Sequence, residues 1–150
     1  MAALSLACMG TYEGNRLCPE GEKKVTVHEG IPFSQFRSGI TWQAAKPIAD
    51  NGKVVVYQDY LFVLEPFVGV HVFDNRDNEN PRALGFLAVP GNSDILIKDD
   101  VLYLDSYTDL VKIAIIDGQA TEVGRVKLAF GDAYYYDEDQ VITRSYYECQ

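Results

Sequence analysis

Residues 60–81 read YLFVLEPFVGVHVFDNRDNENP. Apolar side chains fill both alternate positions from Leu61 to Leu64 and return from Phe67 to Phe73, broken only by Glu65, by the turn residues Pro66 and Gly69 and by His71. After Phe73 the stretch dissolves into acids and amides. A strand with one wet face alternates apolar and polar residues, whereas one covered on both faces can be apolar throughout. The stretch therefore predicts short strands whose two faces are both lost to neighbouring sheets.

The pattern repeats. VVVYQDYLFVLEPFVGVHV (residues 54–72) lines up under ILIKDDVLYLDSYTDLVKI (residues 95–113) without a gap, so Leu61 falls on Leu102, Val63 on Leu104, Val70 on Val111 and Val72 on Ile113. The register later slips by two, since Gly85 falls on Gly124. Gln58-Asp59 and Asp99-Asp100 read as two-residue hairpin links, because Asp tolerates the left-handed conformation such turns need. EPFVG and SYTDL form the next turns, and DNRDNENP crosses to an outer strand, RALGFLAVP. A period of about 40 residues made of short strands is the signature of a β-propeller with about four strands per blade. The expected fold is all-β, with antiparallel four-stranded propeller blades, about two and part of a third, in which inner strands such as Leu61–Leu64 and Val101–Leu104 are covered on both faces. A compact β-sandwich or barrel is the alternative, although it would bring more polar alternation. Three segments follow: residues 1–18, a lipoprotein signal remnant and flexible N-terminal segment; 19–50, an extension with one short helical turn, N-capped by Ser34 and ended by Gly39; and 51–150, the repeats. Gln140–Tyr147 reads as a further strand of an unfinished third repeat. Two blades leave an apolar face and a strand edge open, so remaining blades or other chains are expected to complete them.

GKVVVYQDYLFVLEPFVGVHVFDN, ENPRALGFLAVPGNSDI and LYLDSYTDLVKI together resemble the N-terminal part of LVIVD-repeat proteins, over roughly residues 47–130. The resemblance implies propeller-forming repeats of a bacterial envelope lipoprotein longer than this chain. Here the hairpin links lack the usual Gly and the second inter-strand loop lacks the Asn-Pro ending. That family has no established catalytic residues, so none is carried over.

Composition sets further bounds. With 47% hydrophobic and 23% charged residues the chain is globular rather than disordered. Ten Tyr and seven Phe suit pleated, packed surfaces. A net charge of −9 without any basic stripe argues against nucleic acid as a partner. No apolar run approaches the ~20 residues of a membrane-spanning helix, so a membrane is reached only through a lipid anchor.

That anchor would be Cys8. In MAALSLACMG small apolar residues precede the cysteine, as at a lipoprotein cleavage site, although Ser5 and the missing basic start fit less well. A leader without meaning is the other reading. If Cys8 is lipidated, the protein resides in the bacterial cell envelope, at the outer membrane, in the periplasm or on the cell surface. Cys18 and Cys149 are then left to pair in an oxidising compartment.

The chemistry is sparse. Asp74, Asn75, Asp77, Asn78, Glu79 and Asn80 alternate oxygen atoms as a calcium loop does, but lack the EF-hand's central Gly and distal Glu; an Asx turn is the plainer reading. His71, between Val70 and Val72, reads as a packed ring at a blade interface or in a polar channel. No metal site or cofactor is expected. The densest turn is DSYTD, where Asp105 and Asp109 flank Tyr107. Its counterpart EPFVG keeps an acid and a ring, Glu65 and Phe67. These five are the candidate ligand-binding residues, on the rule that repeat scaffolds carry function on loops of one face. The expected function is a non-enzymatic binding or scaffold module contacting a protein or glycan. The alternative is a glycan-active hydrolase or lyase with Asp105 and Asp109 as its acid/base pair.

Overall fold

The computed structural model describes residues 18–150; Cys8 lies outside them. The fold is all-β, in antiparallel sheets of which none is closed. Strand β1 (Lys24–Pro32) leads into a short helix, α1 (Phe33–Ser38), and β2 (Thr41–Gln43). A four-strand meander follows: β3 (Val54–Tyr57), β4 (Tyr60–Glu65), β5 (Gly69–Asp74) and β6 (Arg82–Ala88). With β2 added beside β6 it forms sheet I, in the order β2-β6-β5-β4-β3. The second meander, β7 (Ile95–Lys98), β8 (Val101–Ser106), β9 (Asp109–Ile116) and β10 (Gln119–Val126), forms sheet II. After one 3₁₀ turn (Gly131–Ala133), β11 (Gln140–Cys149) runs back along β1 as a two-stranded ribbon. The tail strand thus pairs with the N-terminal strand, not with sheet II.

The two meanders stack in the same order and direction. At one end the hairpin links touch: Tyr57 Oη and Gln58 Nε2 both donate to Asp100 Oδ1, at 3.0 and 2.8 Å. At the other end the Phe67 N–H donates to the Asn92 carbonyl and the Phe67 carbonyl accepts from the Gly91 N–H, within the turn cluster. β3 lies by β7, and β6 by β10. Two sheets stacked in one sense meet front to back, because a like-face contact would require one of them to be turned over. The register agrees. Leu61 pairs with Phe73 and Leu102 with Ile113, so an offset of 41 in the second strand becomes 40 in the third. The cause is the second turn, which leaves two residues between Ser106 and Asp109 where the first leaves three between Glu65 and Gly69. Both repeats carry a β-bulge at one equivalent place, at Leu84 in β6 and at Val123 in β10, so Gly85 and Gly124 are true counterparts.

One apolar core joins the sheets. Phe62, Leu64, Val70, Val72 and Leu87 of sheet I meet Ile95, Leu102, Leu104, Val111 and Ile113 of sheet II. Each such side chain contributes about 1.5–3 kcal/mol by leaving water. Trp42 reaches over Gly85 from the edge, at a place where a Cβ would collide with its ring.

Coverage differs between the repeats. β4 and β5 are covered on both faces, since Val63, Glu65, His71 and Phe86 are buried on the side away from sheet II. What covers them is residues 44–50, which return from the β2 edge to the β3 edge with Lys46 Nζ 3.9 Å above the Phe86 ring. β8 does not follow: Leu102 and Leu104 are buried, but Val101 and Tyr103 are only half-buried. The expectation of double coverage there fails because nothing among the described residues lies over the outer face of sheet II.

Helix α1 is present, but Pro32 sits at its N-cap position and makes no side-chain cap bond. Ser34 falls inside the helix, where its carbonyl accepts from Ser38 Oγ at 2.8 Å. Gly39 ends the helix, its N–H bonding to the Phe36 carbonyl. Cys18 and Cys149 form a disulfide with Cα atoms 5.5 Å apart, clasping the free end of the ribbon.

Candidate functional site

The five candidate residues gather around one end of the stacked sheets, where the turns after β4 and β8 flank the loop of residues 90–93. Four of the five are committed to internal partners.

Asp109 opens β9 on the face turned toward sheet I and is wholly buried. Arg37 of α1 grips its carboxylate with two bonds, of 2.8 and 3.1 Å, and Arg125 of β10 adds a third at 3.0 Å. Thr108 Oγ1 and the Leu128 amide donate as well. Burial opposes ionisation, but Arg37, the Leu128 amide and Arg125 outweigh it, so the carboxyl is held below the usual range. The cluster is a structural rivet joining helix, sheet and outer strand.

Asp105 accepts from Asn92 Nδ2 and from the amides of Ser93 and Asp94, all at 2.8 Å, and from the Ser93 hydroxyl. It shapes the 90–93 loop. Asn92 is itself fully buried, and its Oδ1 has no partner among the described residues. Tyr107 is half-buried, edge-on to Phe36 at 5.3 Å and to Tyr134 at 6.2 Å. Burial raises its hydroxyl pKa. The ring also lies against Gly91, whose φ of +75° and missing side chain let the loop pass beneath it.

Glu65 is buried on the far face of sheet I and bonds to His71 Nε2 at 2.7 Å, with Lys46 Nζ 3.7 Å away. The His71 bond lowers its pKa; burial works against that, and Lys46 and the Ala49 amide help. His71 is a packed ring, 4.7 Å from Phe86. It faces away from the sheet I–sheet II interface, under the 44–50 segment.

Phe67 alone of the five is open, at 62% exposure. It is held in the left-handed region, φ 64°, by two backbone bonds: its N–H donates to the Asn92 carbonyl at 2.6 Å and its carbonyl accepts from Gly91 at 3.0 Å.

The acidic loop after β5 is an internally bonded turn. Arg76 and Arg82 engage the Asp74 carboxylate, which titrates well below the ordinary range chiefly through the Arg76 bond. Asp77 accepts from the Glu79 amide and from Asn80. Among the described residues no group of three or more His, Cys, Asp or Glu is placed to hold a metal, and no helix is long and apolar enough to cross a membrane. On the ribbon, His28 Nδ1 and Ser145 Oγ lie 2.8 Å apart beside Tyr135 in a cavity of about 290 Å³. The nearby Asp137 carboxylate instead accepts from the Asp139 and Gln140 amides of its own turn, so no Ser-His-Asp relay is assembled there.

Sequence reasoning missed Arg37, Arg125, Lys46 and Asn92. Arg37 and Arg125 stand 72 and 16 positions from Asp109, and no local pattern ties them to it. Compared with models of protein families, with curated proteins and with solved structures, the chain matches none.

Proposed function

We propose that the chain is a non-enzymatic binding module of a bacterial envelope lipoprotein, built from two consecutive propeller-type blades, and that it contacts a protein or glycan through the turns at one end. The observation that carries this reading is Phe67. A large ring, 62% exposed, stands on a left-handed backbone position fixed by bonds to the neighbouring loop. Strain of this kind costs about 1–3 kcal/mol and persists where the surroundings over-determine it. A ring presented rigidly loses little entropy on binding, which suits both sugar stacking and a protein anchor. The front-to-back stacking of equivalent meanders supports the blade reading, and the Cys18–Cys149 bridge fits an oxidising compartment. Asp105 and Asp109 are saturated by internal donors, so the hydrolase alternative has no free acid/base pair at this turn.

The test is a screen of envelope glycans and peptides with the wild-type chain and Phe67→Ala. Retained ligands should lose at least tenfold in affinity in the variant while its melting temperature holds. A ligand bound equally by both, or turnover of a glycoside by the wild type, would overturn the reading.

A further inference from the structure

Phe67 and Tyr107 are counterparts. Each is the ring of the turn between the second and third strands of its meander, and each sits in the left-handed region, at φ 64° and 50°. Gly91 lies between them: its N–H donates to the Phe67 carbonyl, and its carbonyl accepts from the Tyr107 N–H at 3.4 Å. Their surroundings differ. Tyr107 packs edge-on to the buried Phe36 and to Tyr134. Phe67 is open to solvent, with Val68 exposed beside it.

The backbone position disfavours such a ring. At the hairpin links of positive φ the non-glycine residues are Gln58, Asp99, Asp100 and Asp117, all polar. Leu128, also left-handed, gives its amide to Asp109. Phe67 is bulky and apolar, and it lacks the ring packing that offsets the strain at Tyr107.

The tip has little polar chemistry left to give. The Phe67 and Val68 N–H groups donate to the Asn92 and Glu65 carbonyls, and their own carbonyls accept from Gly91 and Val89. Within residues 66–68 that leaves the Pro66 carbonyl, one acceptor and no donor. The carboxylates nearby are occupied: Glu65 by His71 and Lys46, Asp105 by Asn92 and the Ser93 amide, Asp109 by Arg37 and Arg125. A sugar stacked on the ring would bring hydroxyls, and each one cut off from water without a partner weakens binding. A pocket of apolar side chains brings none. The ring stands at the tip of a tight turn, so it is the part that inserts.

We infer that the partner at this turn is a protein with an uncharged apolar pocket, of the kind Phe36 and Tyr134 supply to Tyr107, and that Phe67 is the anchor that fills it. This rests on the binding-module reading and narrows its partner from protein or glycan to protein.

The experiment places the photo-cross-linker p-benzoylphenylalanine at Val68 of the full chain, leaving Phe67 intact, on cells of the organism that makes it. Thr121, exposed on β10, is the control position. A protein adduct should form from position 68 and not from 121, and adding Phe67→Ala should cut its yield about tenfold. The protein so identified is then purified and titrated with the wild type, Phe67→Leu and Phe67→Tyr, all of which should melt alike. Phe67→Leu should bind within about threefold of the wild type. Phe67→Tyr should lose about tenfold, because the pocket would bury its hydroxyl unpaired, whereas a stacked sugar tolerates it. Hexaoses of glucose and of N-acetylglucosamine, titrated alongside, should not bind. A hexaose whose binding is lost in Phe67→Ala, or a partner that holds Phe67→Tyr as tightly as the wild type, would overturn the inference and leave the binding-module reading standing. Finding neither an adduct nor a hexaose that depends on Phe67 would overturn both.

Discussion

Lys53 and Asp94 stand 41 positions apart at equivalent places before the first strands of the two meanders, and their side chains meet at 2.8 Å. Equivalent residues touch because the two meanders stack in the same order and direction, with β7 beside β3. Lys53 Nζ also donates to the Ile95 carbonyl at 2.8 Å. Both side chains are about half or more exposed, so the pair marks the geometry more than it stabilises it.

Asp109 is the opposite case. Asp109→Asn leaves Arg37 and Arg125 facing each other without their shared anion, and breaking a buried pair from one side costs about 3–5 kcal/mol. Urea unfolding should show a loss of that order, with α1 released from sheet II. A loss under ~1 kcal/mol would mean that the cluster is solvated.

Acid should find the same weakness. The carboxyls of Asp109 and Glu65 are depressed in the folded state, so the stability they add is complete above their unfolded values, near pH 4–4.5, and disappears as pH falls through the lower folded values. Unfolding free energy should hold from pH 7 to about 5 and drop below pH 4. In Asp109→Asn that drop should be shallower, as denaturant titrations at stepped pH would reveal.

Gly91→Ala should destabilise by about 2 kcal/mol or more. Its φ of +75° disfavours any L residue by ~1–2 kcal/mol, and the new methyl would sit 2.5 Å from the Tyr107 ring. The check is a thermal melt alongside Gly118→Ala, a position of the same φ with open space around it, which should suffer from the backbone alone.

Reducing the Cys18–Cys149 bridge should lower stability by about 2–5 kcal/mol, since it closes a loop of 131 residues. The ribbon is mostly exposed and pairs with neither large sheet. Hydrogen exchange after reduction should therefore rise first in β1 and β11, with the β4 and β5 amides still protected.

Much of the architecture was legible. Asp99 and Asp100 do take positive φ at a two-residue link, as does Gln58 at the other, and the apolar runs around them are strands. Register was the harder part. Val70 was aligned with Val111, but its structural counterpart is Leu110, because the turn at Tyr107–Thr108 is one residue shorter. A strand apolar at both alternate positions carries no face signal to correct a one-residue slip. The candidate site was legible as a place and not as chemistry: the turns do gather at one end, yet the partners of Asp109 and Glu65 come from α1, β10 and the 44–50 segment. Long-range pairing of this kind leaves no trace in spacing. The helix start was misplaced for a local reason, since Pro32, with its φ already set, took the cap position that Ser34 was expected to fill.

The clasp at the end of the ribbon also decides how the molecule bears tension. A pull on the chain outside Cys18 and Cys149 runs through one covalent link between Cα atoms 5.5 Å apart, and the sheets carry no load. Once that link is reduced, the same pull enters an antiparallel pair from its open end and separates it one rung at a time, from Lys24–Cys149 toward Pro32–Gln140. Redox state thus sets whether such a force stops at the ribbon or reaches the sheets behind it.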